Sequence, residues 1–519
     1  MLINLLKYFF ILFVCVIFYY ILPKKIRWVS LLIFSFIYYY IMSKNFLLPI
    51  VLSGLSIYLG GIIINKINDK KIDCEDKELK KKIKKKYKLY KKIIMLIVVV
   101  FNISILAYLK YSNFFVSSIN NILSLNISKP FDKIILPLGI SYYTLMAISY
   151  IVDVYRGKYK ASYNPIRVML FIIFFPSVQE GPIHRFDNMD SQLHEGNKFE
   201  YKNLCIGVLL ILWGLFKKMV IADRIGIFVN NTFGTSTGII SLLAIIFYTI
   251  ELYAEFSGFI DMAVGGAKMF GIDLPSNFKR PFFSKNVEEF WRRWHITLGA
   301  WLREYIFYPI SFSKVCMNLT VKSKKIFKGH IGNLIPAAFS LFFVWFVNGI
   351  WHGASWKYIF YGLYYYVLTM IGMLFEPLFE KIINKLKINV NSFSYRLWQM
   401  IRTTAIVLVG MLIFRASSLR TAGVIFKSIF TFKNIGKLFN GELFKIGITA
   451  GDFIIVVIGV AIMFVVSLLQ EKGINIREKI SKQNIVFRWI LYYGIIFTII
   501  IFGIYGVGYD ASSFIYGQF

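Results

Sequence analysis

The sequence predicts an all-α polytopic membrane protein, and three features of its 519 residues predict it. Hydrophobic residues make up 57% of the chain and charged ones 17%, where a soluble domain carries roughly a quarter charged residues. The apolar residues fall in blocks, such as residues 2–22, 93–109, 204–216 and 454–469, and a helix crossing the bilayer core needs about 20 of them. Counting such blocks gives about eleven to thirteen crossings. Backbone polar groups cannot stay unpaired in lipid, so the crossings are helices.

The first block, residues 2–22, has no basic segment before it and no small-residue cleavage pattern after it. It is expected as a retained first helix and not as a signal peptide. Lys24 and Lys25 follow it. Residues 65–92 carry the run Lys80-Lys81-Lys82-Ile83-Lys84-Lys85-Lys86 against Asp73, Glu75, Asp76 and Glu78. Short loops rich in lysine and arginine stay in the cytoplasm, so 65–92 is expected as a basic cytoplasmic loop, with the N-terminus external and the protein multi-pass in the cell membrane. Residues 268–328 form a second basic stretch, expected on the same side with part of it dipping into the bilayer.

A formal net charge of +33 would suggest nucleic acid in a soluble chain. Here the lysines lie between apolar blocks, where orientation in the membrane accounts for them. The expected partner is the lipid bilayer, with no nucleic acid. Cys15, Cys74, Cys205 and Cys316 are scattered and form neither a CxxC pair nor a disulfide framework. No Pro/Gly/Ser linker and no internal repeat divides the chain, so residues 1–519 are expected as a single transmembrane domain.

The middle third does not read as simple crossings. Residues 171–186 start apolar, break at Pro176, and then carry Glu180, His184 and Arg185 around Gly181-Pro182. Residues 255–309 are amphipathic, with charges too dense for a lipid-facing helix. Irregular or charged chain at membrane depth occurs only inside protein or beside a water-filled cavity. The expectation is that this region surrounds a polar cavity.

Five histidines occur: His184, His194, His295, His330 and His352. His352 interrupts the apolar run 341–356, where helical spacing puts Trp345, Asn348, His352 and Ser355 on one face. Gly349 and Gly353 form a GxxxG step that lets a second helix come close. An ionisable group inside a membrane segment marks a functional site by default; a structural histidine bonded to a neighbouring helix is the alternative. His295 lies in residues 290–309, a stretch whose helix opens at Asn286 with Glu289 in a capping-box arrangement. Trp291, His295, Leu298, Leu302 and Tyr305 would share one face, with Arg292, Arg293 and Arg303 elsewhere. Taken alone, that pattern reads as an interfacial helix with a tryptophan and arginine belt. No HExxH or Cys/His cluster supplies ligands, so no metal is expected. A nucleophile elbow, a P-loop and a Rossmann glycine pattern are not expected either. A neutral histidine in a water-poor cavity suits proton abstraction from a hydroxyl.

At these residues the chain resembles a known family. The block EFSGFIDMAVGGAKMFGIDLPSNFKRPFFSKNVEEFWRRWHITLGAWLREYIFYPI from Glu255 is similar to the membrane-bound O-acyltransferases of bacterial surface polymers. So are FFPSVQEGPIHRF from Phe174, VNGIWHGASWKYIFYGLYY from Val347, FRASS from Phe414 and the terminal FIYGQF. The resemblance is nearest to the alginate O-acetylation branch and extends to those for teichoic acid D-alanylation and peptidoglycan O-acetylation. Its core motifs lie in residues 174–375. The chain departs from the family pattern at Gly517 and after Pro309, where a usual glycine pair is missing.

The resemblance implies a ring of tilted helices around a thin core, with funnels from both faces. It implies that His352 matches the active-site histidine and His295 the second functional histidine. The expected reaction takes a short acyl group, acetyl foremost, from a cytoplasmic thioester such as acetyl-CoA, with no bound cofactor. The donor would dock near Arg292, Arg293 and Lys279; Asn348 and Ser355 would bind substrate; His295 would position the thioester or stabilise the oxyanion. An extracellular SGNH-type acyltransferase or esterase and a glycan synthase complex are the partners implied. D-alanyl transfer to teichoic acid, and a non-catalytic glycan transporter, are the alternatives.

Overall fold

The computed structural model describes residues 2–44, 46–70, 75–131, 136–431 and 433–505. The terminal FIYGQF, Gly517 and Cys74 lie outside them. Helices dominate, and among the described residues the only extended pairing is an isolated antiparallel bridge between Phe278 and Trp294. Eleven helices among the described residues are long and apolar enough to cross a membrane, within the expected range. The chain is therefore an all-α, multi-pass membrane protein. It divides into two compact units, one of Met1–Gly207 with Ala263–Pro275 and the other of Val208–Met262 with Ser276–Phe519.

In the first unit, helices α1 (Leu2–Ile21) and α2 (Arg27–Met42) pack as a hairpin. Helices α3 (Leu48–Asn68), α4 (Lys77–Leu106) and α5 (Ile140–Arg156) pack on one another. Buried polar pairs tie them: Asn102 of α4 donates to Ser56 at 2.9 Å, and Ser53 donates to Asn102. Asn65 holds the backbone of Ala161 from both sides, at 2.9 and 3.1 Å. Such pairs are the common glue of membrane helices, because lipid offers polar groups no other partner.

Most of the lysine-rich segment expected as a loop is helical. α4 begins at Lys77, and only 69–76 connects it to α3. Asp76 caps the start by accepting from the Glu78 amide at 2.8 Å, and lysine is a good helix former wherever its charge stays in water. The break expected at Pro176 also moves. The helix Pro165–Ile173 ends at Phe174, and Pro176 sits in the first turn of a short helix, Phe175–Val178. Proline is at ease there because the first-turn amides have no helical acceptor. Glu180, His184 and Arg185 are all buried in this unit, as irregular polar chain at depth must be.

The chain enters the second unit within α6 (Tyr201–Leu215). A seven-residue π-helical turn, Phe216–Ala222, joins it to α7 (Asp223–Thr232). α8 (Ile239–Met269) follows. No candidate crossing lies between Met269 and His330. Short pieces occupy that stretch, among them α9 (Val287–Arg293) and α10 (Ile296–Leu302). Then come α11 (His330–His352), α12 (Trp356–Lys385), α13 (Phe393–Arg415), α14 (Ala450–Glu471) and α15 (Ile485–Phe502).

The α11–α12 hairpin is tightly packed. A Cβ on Gly349 would meet the Tyr358 carbonyl oxygen at 2.4 Å, and one on Gly362 would meet that of Trp345 at 2.2 Å. Two glycines on opposite helices thus let the backbones touch, as small residues do in membrane bundles.

Candidate functional site

Trp345, Asn348 and His352 are buried in α11, as the helical spacing predicts. The His352 ring is boxed by aromatic edges and faces: Trp351 at 5.2 Å, Phe414 at 5.3 Å and Tyr361 at 5.6 Å between centroids. One turn earlier Asn348 is also buried, and its Nδ2 makes no hydrogen bond among the described residues. An amide held dry in this way is a donor waiting for an acceptor, since leaving it unpaired costs about 1–3 kcal/mol.

Ser355 does not share this face. The helix stops at His352, because Gly353 turns to an extended backbone and Ser355 precedes the first turn of α12. The Gly353 position is set by the Tyr358 ring, which a Cβ would meet at 2.4 Å. The expected stripe is therefore Trp345, Asn348 and His352, with Ser355 in the corner after it.

The continuous helix expected over 290–309 is likewise broken. α9 opens at Asn286, whose side chain accepts from the Glu289 amide at 2.8 Å. The reciprocal half of the box is missing, since Glu289 accepts from Lys285 instead. α9 ends at Arg293, and His295 takes a left-handed backbone with φ +46° before α10. A non-glycine residue held there is a strained position, of the kind that persists where the surroundings fix it. Here they do. Asn277 Oδ1 accepts from the Thr297 amide at 3.1 Å and from its hydroxyl at 2.9 Å, and lies 3.2 Å from His295 Nδ1.

That geometry sets the tautomer. The Thr297 backbone N–H can only donate, so the atom facing it is the Asn277 oxygen, and His295 Nδ1 must carry a proton to reach it. In the neutral ring Nε2 then holds the lone pair. Burial pushes the His295 pKa down to about 3, so the ring is neutral at physiological pH. His295 packs on Phe256 at 4.9 Å and on Trp351 at 5.6 Å. Trp351 thus touches both histidines, which stand far apart in sequence.

The three basic residues expected to meet a donor differ in what they offer. Arg293 is half-buried and engaged: it donates to both Glu471 oxygens at 3.0 Å and to Glu289 at 2.7 Å. Arg280 donates to the same Glu471 at 2.5 Å. Arg293 therefore ties α9 to α14, and the partly exposed Glu471 takes the charge it was expected to offer a ligand. Arg292 is exposed and pairs with Glu288 at 2.9 Å. Lys279 is also exposed, with its amide bonded to Arg293 O at 2.9 Å.

The other histidines hold the chain. His184 lies 3.1 Å from Phe171 O and 3.2 Å from Pro182 O, and burial outweighs those carbonyls to bring its pKa down to about 4. His194 bonds to Asp190 O at 2.9 Å, and His330 to Met373 O at 2.7 Å. Among the described residues no group of three or more His, Cys, Asp or Glu side chains is arranged to hold a metal ion. Residues 234–238, Gly-Thr-Ser-Thr-Gly, do have G-x-S-x-G spacing, contrary to expectation. They follow a helix in a turn, without the strand that makes a nucleophile elbow.

The sequence reading missed a buried charge network in the second unit. Lys217 donates to Ser257 at 2.7 Å and pairs with Asp261 at 2.7 Å. Lys218 pairs with Glu255 at 2.7 Å and with Asp223. Arg224 pairs with Asp452 and donates to Phe502 O at 2.5 Å. The signal was present: two lysines end the apolar run of α6, and charges inside a membrane segment must find partners. The π turn widens the helix there and turns both lysines inward.

An all-helical membrane protein with two histidines and an asparagine buried among aromatic rings is the class that fold and site define. A sequence model of the membrane-bound O-acyltransferase family matches residues 36–316. The chain belongs to that family. It is 33% identical over 347 residues, 65% of this chain and 60% of the relative, to a "probable alginate O-acetylase" of Pseudomonas syringae pv. tomato. It is 32% identical over 303 residues to the peptidoglycan O-acetyltransferase of Helicobacter pylori, covering 53% of this chain and 54% of that one. Identity to the teichoic acid D-alanyltransferase of Bacillus subtilis is 33% over 244 residues, 46% of this chain and 59% of the relative. The chain spans about 60% of the length of the alginate relatives it matches.

Proposed function

We propose that this chain is an O-acyltransferase that moves a short acyl group, acetyl foremost, from a cytoplasmic thioester donor across the membrane to a polysaccharide outside the cell or in its wall. The observation that carries the reading is the packing of the buried His352 and His295 against the same Trp351 ring. In the reaction a hydroxyl oxygen attacks the thioester carbonyl, the C–O bond forms, the C–S bond breaks and the thiol leaves. His352 takes the hydroxyl proton as general base and passes it to the departing sulfur, which leaves as the thiol.

Asn348, one helical turn away, donates its amide to the carbonyl oxygen as negative charge grows there. The oxyanion role expected for His295 suits its tautomer poorly, because Nε2 has a lone pair and no N–H to give. We assign His295 instead to orienting the incoming hydroxyl or the donor by accepting at Nε2. Arg292 and Lys279, both exposed, are the residues left to meet the phosphates of acetyl-CoA. Ser355 lies at the mouth of α12 and contacts substrate there.

Residues 65–92 face the cytoplasm in this reading, and the N-terminus faces out of the cell membrane. An SGNH-type acyltransferase or esterase and a glycan synthase complex are its partners outside, and the acyl group passes to the partner protein or directly to the glycan. D-alanyl transfer to teichoic acid is the second reading, supported by the 33% identity to the B. subtilis D-alanyltransferase. Feeding cells isotopically labelled acetate or D-alanine, then analysing the isolated envelope polymers, tests the choice. Acetyl label that depends on this chain supports the proposal; D-alanyl label in its place overturns the acetyl assignment.

A further inference from the structure

A cationic corner lies beside the proposed chemistry and takes no part in it. Phe414 packs on His352 at 5.3 Å and on Tyr358 at 5.2 Å, and the next residue, Arg415, ends α13. Lys357, in the first turn of α12, donates to Ala416 O at 2.9 Å and lies over the Tyr358 ring at 4.7 Å. Arg415 donates to the exposed Asn230 at 2.9 Å and stands over the rings of Phe233 and Tyr248. Both cations are half-buried, and all these partners are neutral. Neither closes an ion pair among the described residues. Glu251 of α8 feels Arg415 electrostatically without pairing to it, and Arg415 and Lys357 repel each other.

Partly desolvated charge costs free energy unless an opposite charge answers it. A third positive feature adds to the demand. α12 begins here, and the amides at a helix start carry partial positive charge. Acids are the stabilising choice in that turn, yet α12 has none there and leaves Ser355 without a side-chain cap bond. An anion answers all three features at once. Arginine has five N–H donors and lysine three, more than the neutral acceptors above can use.

The place of this corner in the fold selects the occupant. α13 runs from a bond between Arg402 and Lys285 O, at 3.0 Å, to Arg415, about 20 Å further along its axis. Lys285 belongs to the segment that carries Lys279 and Arg292, proposed above to meet the donor. Arg415 and Lys357 therefore stand at the other end, which is external in the orientation proposed above. Residues 416–449 start there and carry Arg420, Lys427, Lys433, Lys437 and Lys445 against one acid, Glu442, itself paired with Lys437 at 3.4 Å. They pack at the same end, since Lys433 O accepts from the Ile239 amide at the start of α8 at 3.1 Å. The positive-inside rule explains lysines on the cytoplasmic face and gives these no reason. A polyanion arriving from outside supplies one.

We propose that Arg415 and Lys357, beside the start of α12, seat a carboxylate or phosphate of an anionic acceptor polymer and so bring a hydroxyl of the adjoining sugar to His352. The inference rests on the acyltransferase reading above and narrows its acceptor from polysaccharides in general to charged ones. A polymer is chosen over a small anion because the basic surface continues over 416–449, beyond the reach of a single group.

The test uses the full chain in neutral detergent at physiological ionic strength, without acyl donor. Its probes are a uronate hexasaccharide, a glycerol-phosphate hexamer and neutral cellohexaose, with binding read by thermophoresis. At least one anionic probe should bind, the tighter of them naming carboxylate or phosphate, and cellohexaose should bind at least ~10-fold more weakly. Arg415→Gln combined with Lys357→Gln should weaken the anionic probe at least ~10-fold, the worth of one hydrogen bond to a charged group. Lys381→Gln combined with Lys385→Gln removes the same charge from exposed positions about 35 Å further along α12. That pair should change binding less than about twofold, because salt screens charge at such a distance. Equal weakening by both pairs would mean diffuse attraction and would overturn the site. Equal binding of cellohexaose, or no binding of either anionic probe, would overturn the anionic acceptor. Should the first pair not fold, Lys357→Gln alone gives the same comparison against Lys381→Gln. With no donor present these results judge the cationic corner alone, while the isotope experiment above judges acyl transfer.

Discussion

At the scale of single residues, a buried histidine, proposed above as the proton acceptor, and a buried amide donor stand one helical turn apart. Asn348→Ala removes the donor proposed for the growing oxyanion. Acyl transfer should fall about 10²–10³-fold while the protein accumulates normally. Isotope counting on extracellular polymer, normalised to protein amount, checks it. A loss below about threefold would remove Asn348 from the chemistry.

His295 makes a pH-dependent prediction with a definite sign. Its pKa is about 3 in the folded chain and about 6.5 when unfolded. Above the unfolded value both states are neutral and the ring adds no pH dependence. As pH falls from about 6.5 toward 3, the unfolded state takes up a proton that the folded state refuses, so stability declines. His295→Gln should flatten that decline in an unfolding-temperature profile. An unchanged slope would contradict a ring held neutral by burial. His184, at about 4, adds to the same decline in the parent and in the variant alike.

The sequence made some of these residues legible and hid others. His352 and Asn348 showed themselves because a polar group in an apolar helical run breaks a pattern that can be read locally. Asn277 did not, because nothing local marks an asparagine whose carbonyl will hold a histidine and a threonine beyond a chain reversal. Lys217 and Lys218 were readable as polar interruptions. Their partners on α8 were not, since a π turn decides which way the lysines point.

At the scale of elements, the site depends on how closely α11 and α12 approach. Gly349→Ala would put a Cβ 2.4 Å from the Tyr358 carbonyl oxygen, a backbone atom that cannot swing aside. Overpacking of this kind costs about 1–3 kcal/mol, so the unfolding temperature should drop and acyl transfer with it. Gly372, on α12, meets nothing within 4 Å. Gly372→Ala should be neutral or stabilising by about 0.5–1 kcal/mol. Equal effects of the two variants would contradict backbone contact as the reason for glycine at 349.

The same scale shows where periodicity misleads. A helical wheel drawn over 341–356 or 290–309 assumes that the helix continues. Gly353 ends the first, and the left-handed turn at His295 ends the second. Ser355 and His295 therefore left the faces to which spacing assigned them. Lysines misled in the opposite direction, since a charged connection reads as a loop but Lys77 onward is good helix-forming sequence.

At the scale of the whole molecule, the number of crossings was legible because lipid leaves the backbone few choices, and eleven candidate helices fall within the expected range. Orientation is a matter of charge bias. A cysteine introduced by Lys84→Cys should resist a membrane-impermeant maleimide in intact cells and react after permeabilisation, and labelling of intact cells would reverse the topology. The assembled site is proposed to transfer acyl groups through His352. A strain lacking this chain is complemented with wild type or with His352→Gln at matched membrane levels, and acyl groups on its extracellular polymer are counted. Loss of a general base costs about 10²–10⁴-fold, so His352→Gln should leave acylation at the level of the uncomplemented strain. Near-normal acylation by that variant would contradict it.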